Sequence, residues 1–448
     1  MKYPLATVIL VVASVSAHSQ QSKPDTARMD QIVSSYYEHK QFMGSVLVTR
    51  GDQVLFDKCY GYANLEWNTP FTEDAKFRLG SLTKQFTAAS ILLLQERGKL
   101  KTTDLISRYL DDSPAAWNKI TLRNLLTHSS GIPNFTDVPD YGSKIALLPT
   151  TPDKEYLSFH DKPLDFQPGV KFSYSNSNYI LLGMIIEKVS GMKYSNFLQQ
   201  NLFGPLHMTN TGMDSNSGIL HHRVYGYSAA GGVVVNADYA DMTVPFAAGA
   251  LYSTTRDLAT WNSALYGGKL LKPESLTEMT TAFKSNYAYG LMVRTVDGHQ
   301  EIEHGGGIEG FNTFLSYDSA DKLSVVVLSN LNSGAPGQIA SQLAALAHGQ
   351  TVVLPSERKA VTVSPTVLAQ YVGTYALAPA FSITITLAGG HLEAQGTNQP
   401  KITLSAESEN EFFSTEPDAQ IEFSKNEKGV VDHLTLFQGG QKIRGDKK

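Results

Sequence analysis

Phe77-Arg-Leu-Gly-Ser81-Leu-Thr-Lys84-Gln-Phe86 leads into an apolar stretch that ends at Arg97-Gly98. Leu82 to Arg97 is expected to form a long helix, with Gly98 supplying the left-handed residue that commonly follows a helix end. Its apolar residues fall on nearly every side, which marks a helix buried in a core. Ser81 and Lys84 stand three apart, so on a helix the hydroxyl and the amine share a face. A serine at a helix N-terminus also meets the positive end of the dipole, which favours developing negative charge. A serine hydroxyl attacks poorly unless a base takes its proton. Lysine is such a base only when desolvation or neighbouring cations lower its pKa. Taken alone, the S-x-x-K spacing is weak, because a capping serine beside a surface lysine is its commoner meaning.

Two later segments raise its weight. Phe166-Gln-Pro-Gly-Val-Lys-Phe-Ser173-Tyr174-Ser175-Asn176 precedes a second expected helix, about Asn178 to Ser190, which stops at Gly191. A loop there can present Tyr174 and Asn176 to one cleft. A phenol ionises near pH ~10 when unperturbed, and neighbouring cations favour the phenolate. Tyr174 is thus a candidate general base for Ser81 and a later acid for the leaving group. Asn176 is a candidate to hold Lys84 and a substrate amide. The plainer alternative is an ordinary turn. Glu303-His304-Gly305-Gly306-Gly307 closes an expected strand. Bare glycines let a substrate lie along a strand edge, and the amides of Gly307 and Ser81 can form an oxyanion hole. The alternative there is a flexible glycine-rich turn.

Around these segments the chain reads as two folded units. The first 20 residues have the order of an export signal: Lys2, an apolar run from Leu5 to Val15, then small residues at Ser16, Ala17 and Ser19. That run is short for a membrane span. Residues 21–350 are expected to hold the main domain, 351–365 a linker with two prolines, and 366–448 a small all-β domain. Ser45 to Arg50 and Gln53 to Lys58 form a hairpin pattern, so Arg50-Gly51-Asp52 is turn chemistry. Strands at Tyr289 to Val296, Gln300 to Glu303, Phe311 to Tyr317 and Leu323 to Ser329 form an antiparallel meander, which the hairpin can join. Beyond the linker, short strands at Ser382 to Leu387, His391 to Ala394, Ile421 to Ser424 and His433 to Phe437 suggest a barrel or sandwich.

Together, the three segments resemble the serine β-lactamase and penicillin-binding protein superfamily, in particular its branch of class C β-lactamases, D-alanyl-D-alanine carboxypeptidases and esterases. The resemblance spans about Asp30 to Ala345 and includes Leu125-Leu-Thr-His128-Ser-Ser-Gly131 and Gln167-Pro-Gly169. It implies an α+β fold, an antiparallel sheet flanked by helices with an all-helical insertion. It implies Ser81 as nucleophile, Lys84 as its partner, and Tyr174 and Asn176 in the Tyr-x-Asn positions. His304 and Gly306 fill the third motif, where β-lactamases usually have Lys-Thr-Gly. Histidine is largely neutral at pH 7, so a fixed charge for a substrate carboxylate is missing. This departure points from antibiotic hydrolysis towards the esterase and D-aminopeptidase relatives. The C-terminal β unit resembles a small barrel appended to some non-lactamase members, and is read as a substrate-access or packing module.

Composition limits the remaining readings. The 448 residues are 42% apolar and 18% charged, with net charge −5 and no basic block, so no nucleic-acid partner is expected. The single cysteine, Cys59, is read as an apolar filler in a strand. His207 with His221-His222, and His299 with His304, lack metal-ligand spacing, so no metal and no cofactor are expected. His128 reads as a structural hydrogen bonder, and Asn134-Phe-Thr136 fits a glycosylation pattern. The expected protein is a secreted or periplasmic serine hydrolase. It acts through an acyl-serine on small esters, amides or peptides, with no membrane span after signal cleavage. The competing classes are a slow-turnover penicillin-binding sensor or transpeptidase, and a non-catalytic binding protein of the same fold.

Overall fold

The structure is a computed structural model that describes residues 25–448, apart from 231–232, 416–417 and 439–440. The export-signal reading of residues 1–20 lies outside the described residues. Among the described residues, no helix is long and apolar enough to cross a membrane.

The main unit is built on six antiparallel strands. They are β1 (Gly44–Arg50), β2 (Gln53–Tyr60), β3 (Met292–Val296), β4 (His299–Ile308), β5 (Phe311–Asp318) and β6 (Leu323–Ser329). Their order across the sheet is β3-β4-β5-β6-β1-β2. The hairpin from the start of the chain therefore closes onto the late meander, with Val46 opposite Val327. Successive strand residues point to opposite faces, and both faces of the central strands are apolar. Val46, Val48, Val325 and Val327 enter one layer, while Leu47, Leu315, Val326 and Leu328 enter the other. A sheet covered on both sides needs such continuous apolar runs. The turn at Gly51-Asp52 uses Gly51 at φ 55°, which matches the turn reading of Arg50-Gly51-Asp52.

Helices α1 (Thr26–Glu38) and α5 (Ala335–Ala347) cover the first face. Asp25 caps α1 by accepting the Arg28 amide at 3.0 Å. On the second face lie α2 (Thr83–Glu96), α3 (Asn176–Ser190) and α4 (Thr255–Tyr266). Every residue of α2 from Thr83 to Leu94 is buried, as its all-round apolar pattern requires. Phe86 packs on Trp261 of α4 with ring centroids 4.1 Å apart. Gly98 and Gly191 both take the left-handed conformation expected of them.

Two local expectations are corrected. Strand β4 runs through Gly305, Gly306 and Gly307 to Ile308, where a strand end was expected. The glycines stay extended because they pack against another backbone, as described below. Cys59 is exposed on β2, not an apolar filler, because β2 is an edge strand.

The C-terminal unit is a closed eight-stranded barrel, β7 (Gly373–Ala378), β8 (Phe381–Ala388), β9 (His391–Gly396), β10 (Lys401–Ala406), β11 (Glu411–Thr415), β12 (Asp418–Lys425), β13 (Val431–Gln438) and β14 (Gln441–Lys447). Pairing of Tyr375 with Lys447 closes it. A short helix, α6 (Pro365–Tyr371), opens the unit and sends Leu368 and Tyr371 into the barrel core. Tyr371 stacks on Phe423 at 4.3 Å. An eight-stranded barrel is narrow enough for side chains to fill it, and here buried aromatic and aliphatic residues do so. The chain before the barrel is held by Arg28 of α1, which donates to the Val352 carbonyl and pairs with Glu357.

Leu343 of α5 is fully buried against the sheet face remote from Ser81. Leu343→Ala should cost about 2–5 kcal/mol of stability. Urea unfolding monitored by circular dichroism will measure this, and a loss below about 1 kcal/mol would mean that α5 does not anchor that face.

Candidate active site

Ser81 lies in a 3₁₀ turn, Gly80–Leu82, that runs directly into α2. Gly80 has φ 56°, and a side chain there would sit 2.8 Å from the Gly307 backbone. Only glycine satisfies both demands. Gly306 is equally constrained, because a Cβ there would fall 2.0 Å from the Leu79 carbonyl oxygen. Thr313, opposite Gly306 on β5, donates to the same Leu79 carbonyl at 2.8 Å. The nucleophile turn and strand β4 thus touch backbone to backbone. This contact keeps the three glycines in the strand.

The Ser81 hydroxyl is held between two groups. Lys84 Nζ lies 3.0 Å from Ser81 Oγ, and Tyr174 OH donates to the same oxygen at 2.9 Å. Lys84 is fully buried. Its amine also donates to Asn176 Oδ1 at 2.8 Å and to the Ala248 carbonyl at 2.8 Å. No carboxylate is among these acceptors, so burial drives the amine well below its ordinary pKa. Tyr174 moves the opposite way. Burial raises its phenol above the usual value, partly offset by its hydrogen bond with Ser81. Burial thus disfavours both the phenolate at Tyr174 and the ammonium at Lys84.

Asn176 begins α3, and Asn134 fixes it by accepting the Asn176 backbone amide at 2.9 Å. The Asn134 amide group in turn donates to Thr136 and Asp137, each at 2.7 Å. The glycosylation-like triplet is thus engaged in building the site.

His304 faces the serine side of β4 but stands behind Tyr174, with ring centroids 6.4 Å apart. It belongs to a buried chain. His128 Nδ1 accepts the Ser175 amide at 3.2 Å, which leaves the proton on Nε2. That nitrogen lies 3.2 Å from Tyr287 OH, which lies 3.0 Å from His304 Nε2. His304 Nδ1 meets the Gly305 carbonyl at 2.5 Å. A backbone donor at one end and a backbone acceptor at the other set one direction for every proton in the chain. His304 is then neutral and accepts at Nε2. Its pKa is pushed down to about 4, first by burial and then by Lys84. The His128 ring lies over Tyr174 at 4.2 Å, so the chain forms the wall that holds the phenol.

The cleft beside Ser81 has a volume of about 210 Å³. Ser81, Asn176 and Gly307 line it, together with Tyr141, Asp241 and Glu309. Lys84, Tyr174, His304 and Gly306 are not in that lining. The structure therefore brings the three sequence segments together, yet only some of their residues face the cleft. Sequence reading missed Tyr287 and the Ala248 carbonyl. Nothing local marks a lone tyrosine in a loop, and a backbone oxygen leaves no signature in side-chain identity.

A family model described as Beta-lactamase matches residues 29–349. The chain belongs to the beta-lactamase family. A second model, described as a domain of unknown function, matches residues 357–447. Penicillin-binding protein 4* of Bacillus subtilis (strain 168) is 27% identical over 434 residues, covering 90% of this beta-lactamase-family chain and 95% of that protein. The octameric penicillin-binding protein homologue from Pyrococcus abyssi superposes with a TM-score of 0.68 at 25% identity, covering 94% of this chain and 100% of that one. A D-stereospecific amidohydrolase from Streptomyces sp. superposes with a TM-score of 0.64 at 26% identity, covering 73% of this chain and 100% of that one. Among such proteins the beta-lactamase-family fold is a serine-hydrolase fold.

The lowered pKa of His304 has a consequence for stability. Its folded value lies below its unfolded value near 6.5, so the unfolded state binds more protons between those limits. His128 is displaced in the same direction, again first by burial. Stability is then fully present above about pH 6.5 and falls as the pH drops towards 4. Urea unfolding at pH 7 and pH 4.5 should show this loss, and His304→Gln should lose less than the parent over the same interval. An identical loss in both would refute a neutral, buried His304.

Proposed function

We propose that this protein is an acyl-serine hydrolase of small amides, esters or short peptides, acting on substrates that carry a free amine. The observation that carries the reading is a serine hydroxyl held at 3.0 Å and 2.9 Å by a buried lysine amine and a half-buried tyrosine phenol. A neutral amine keeps two protons, here for Asn176 and the Ala248 carbonyl, and turns its lone pair to Ser81. When Ser81 attacks the substrate carbonyl, Lys84 takes the hydroxyl proton, and the new bond joins Ser81 Oγ to the acyl carbon. The transient ammonium lies 4.9 Å from the ring centre of Tyr174 and 5.4 Å from that of Tyr179, where ring faces favour a cation. Tyr174, still protonated, passes its proton to the departing amine or alcohol and is reprotonated from Lys84. The amides of Ser81 and Gly307 receive the carbonyl oxygen as its charge develops. Water, entering where the leaving group was, then releases the acyl group by the reverse relay.

The preference for an amine rests on the cleft. Its lining includes the carboxylates Asp241 and Glu309, and no lysine or arginine. His304, neutral and behind Tyr174, offers no charge for a substrate carboxylate. Likeness to the D-stereospecific amidohydrolase, and at 25% identity to a D-amino acid amidase from Ochrobactrum anthropi SV3, supports a substrate with a D-residue. Likeness to penicillin-binding protein 4* over nearly the whole chain supports the second reading, slow deacylation of a penicillin adduct. Export belongs to the same proposal and rests on the first 20 residues.

Purified protein should turn over a D-aminoacyl anilide faster than a chromogenic cephalosporin, with a short-chain nitrophenyl ester as a third probe. Ser81→Ala should abolish all turnover. Tyr174→Phe should slow acylation by about 100-fold or more. Turnover that survives Ser81→Ala would end the acyl-serine reading, whereas stable one-to-one labelling by a penicillin without turnover would favour the second.

A further inference from the structure

The face of β4 that points away from Ser81 carries its own cluster. His299 and Glu301 alternate with residues facing the serine, and Asp318 of β5 lies directly opposite Glu301. His348 follows the last turn of α5 and reaches the same place. His299 Nδ1 lies 2.7 Å from Asp318 Oδ2, and His348 Nε2 lies 3.5 Å from the same oxygen. The two imidazole rings stack at 3.6 Å with only 22° between their planes. One ligand atom from each of His299, Asp318 and His348 falls within 4.8 Å of the other two.

The protonation pattern singles this cluster out. His348 Nδ1 faces Asp321 at 3.4 Å, and Arg50 grips Asp321 at 3.0 Å. With its proton on Nδ1, the ring turns a bare Nε2 towards Asp318. That nitrogen is buried and has no hydrogen-bond partner, and the side chain is only 5% exposed. A lone pair facing a carboxylate oxygen has no proton between them to share. A carboxylate behind a histidine, orienting it and raising its basicity, is the usual second layer of a metal site.

Charge points the same way. Arg294 pairs with Glu303 and Arg50 with Asp321. Among the described residues, no ion pair joins a lysine or arginine to Asp318 or Glu301.

We infer that His299, Asp318 and His348 form a binding site for a divalent transition-metal ion of the zinc class, on the opposite face of the sheet from Ser81. Two imidazoles and a carboxylate suit such an ion, with water completing the coordination on the side where His299 is exposed. Tetrahedral ligation at about 2.0–2.2 Å sets the donor atoms about 3.3–3.6 Å apart. The cluster reaches that spacing by small movements, chiefly of His299, which is one-third exposed. The His299 proton passes through solvent from Nδ1 to Nε2, and the ion bonds to the freed Nδ1, to Asp318 Oδ2 and to His348 Nε2. His304 cannot join this cluster, because it lies on the opposite face of β4 from His299.

The test is titration of the untagged, chelator-treated full chain with Zn²⁺ in a calorimeter at pH 7.5. One ion per chain should bind. His299→Ala and Asp318→Asn should each weaken binding by at least about 10-fold, with circular dichroism showing retained fold. His348→Ala should do the same where it folds. Co²⁺ in place of Zn²⁺ should give the visible absorption of a four- or five-coordinate ion, lost in His299→Ala. Absence of zinc binding, or unchanged affinity in His299→Ala and Asp318→Asn, would overturn the site.

Discussion

The amine of Lys84 has no access to water, and much of the active region is arranged around that fact. Its three partners come from the nucleophile turn, from the first residue of α3, and from the Ala248 carbonyl, 164 positions along the chain. None of the three carries a charge. A buried ammonium among such neighbours would be costly, so the site favours the uncharged amine. Loss of that dryness would return Lys84 to its ordinary charge and leave Ser81 without a base. Burial of α2 therefore serves both the core and the chemistry. The packing of Phe86 on Trp261 and the contact of β4 with Gly80 help keep the nucleophile turn in place.

The sequence showed the scaffold wherever its signals were local. Gly98 and Gly191 mark helix ends that need only one residue's backbone conformation, and both helices end there. The valine and leucine alternation of β1 and β6 was equally readable. The barrel was half readable. Ser382 to Leu387 alternates cleanly, as does Lys401–Ala406, whereas Glu411–Thr415 sets two phenylalanines side by side and passes for loop. Gly305 to Gly307 misled because glycine is poor in strands. The contact that keeps them extended comes from Leu79, more than 200 residues away.

The candidate site was legible as a set of residue types, less so as an electrostatic arrangement. Ser81, Lys84, Tyr174 and Asn176 do meet. The sign of the Tyr174 shift could not be read from neighbours in sequence, since it depends on how much water the fold removes from both the phenol and the amine. Tyr287 joins two histidines that are 176 residues apart, and no local pattern announces such a link. The cluster at His348 was hidden for a similar reason, because a helix end meets two strand residues only after the sheet has formed.

Strand β4 reads differently on alternate letters. Ile302, His304 and Gly306 address the serine layer, while His299, Glu301, Glu303 and Gly305 address α5 and the far layer. A one-residue slip would exchange the two sets, placing either Glu303 or Gly305 where His304 stands. The register of this strand is thus a grammar shared by two texts. Each can be rewritten separately by substitution, but an insertion or deletion within the strand corrupts both at once.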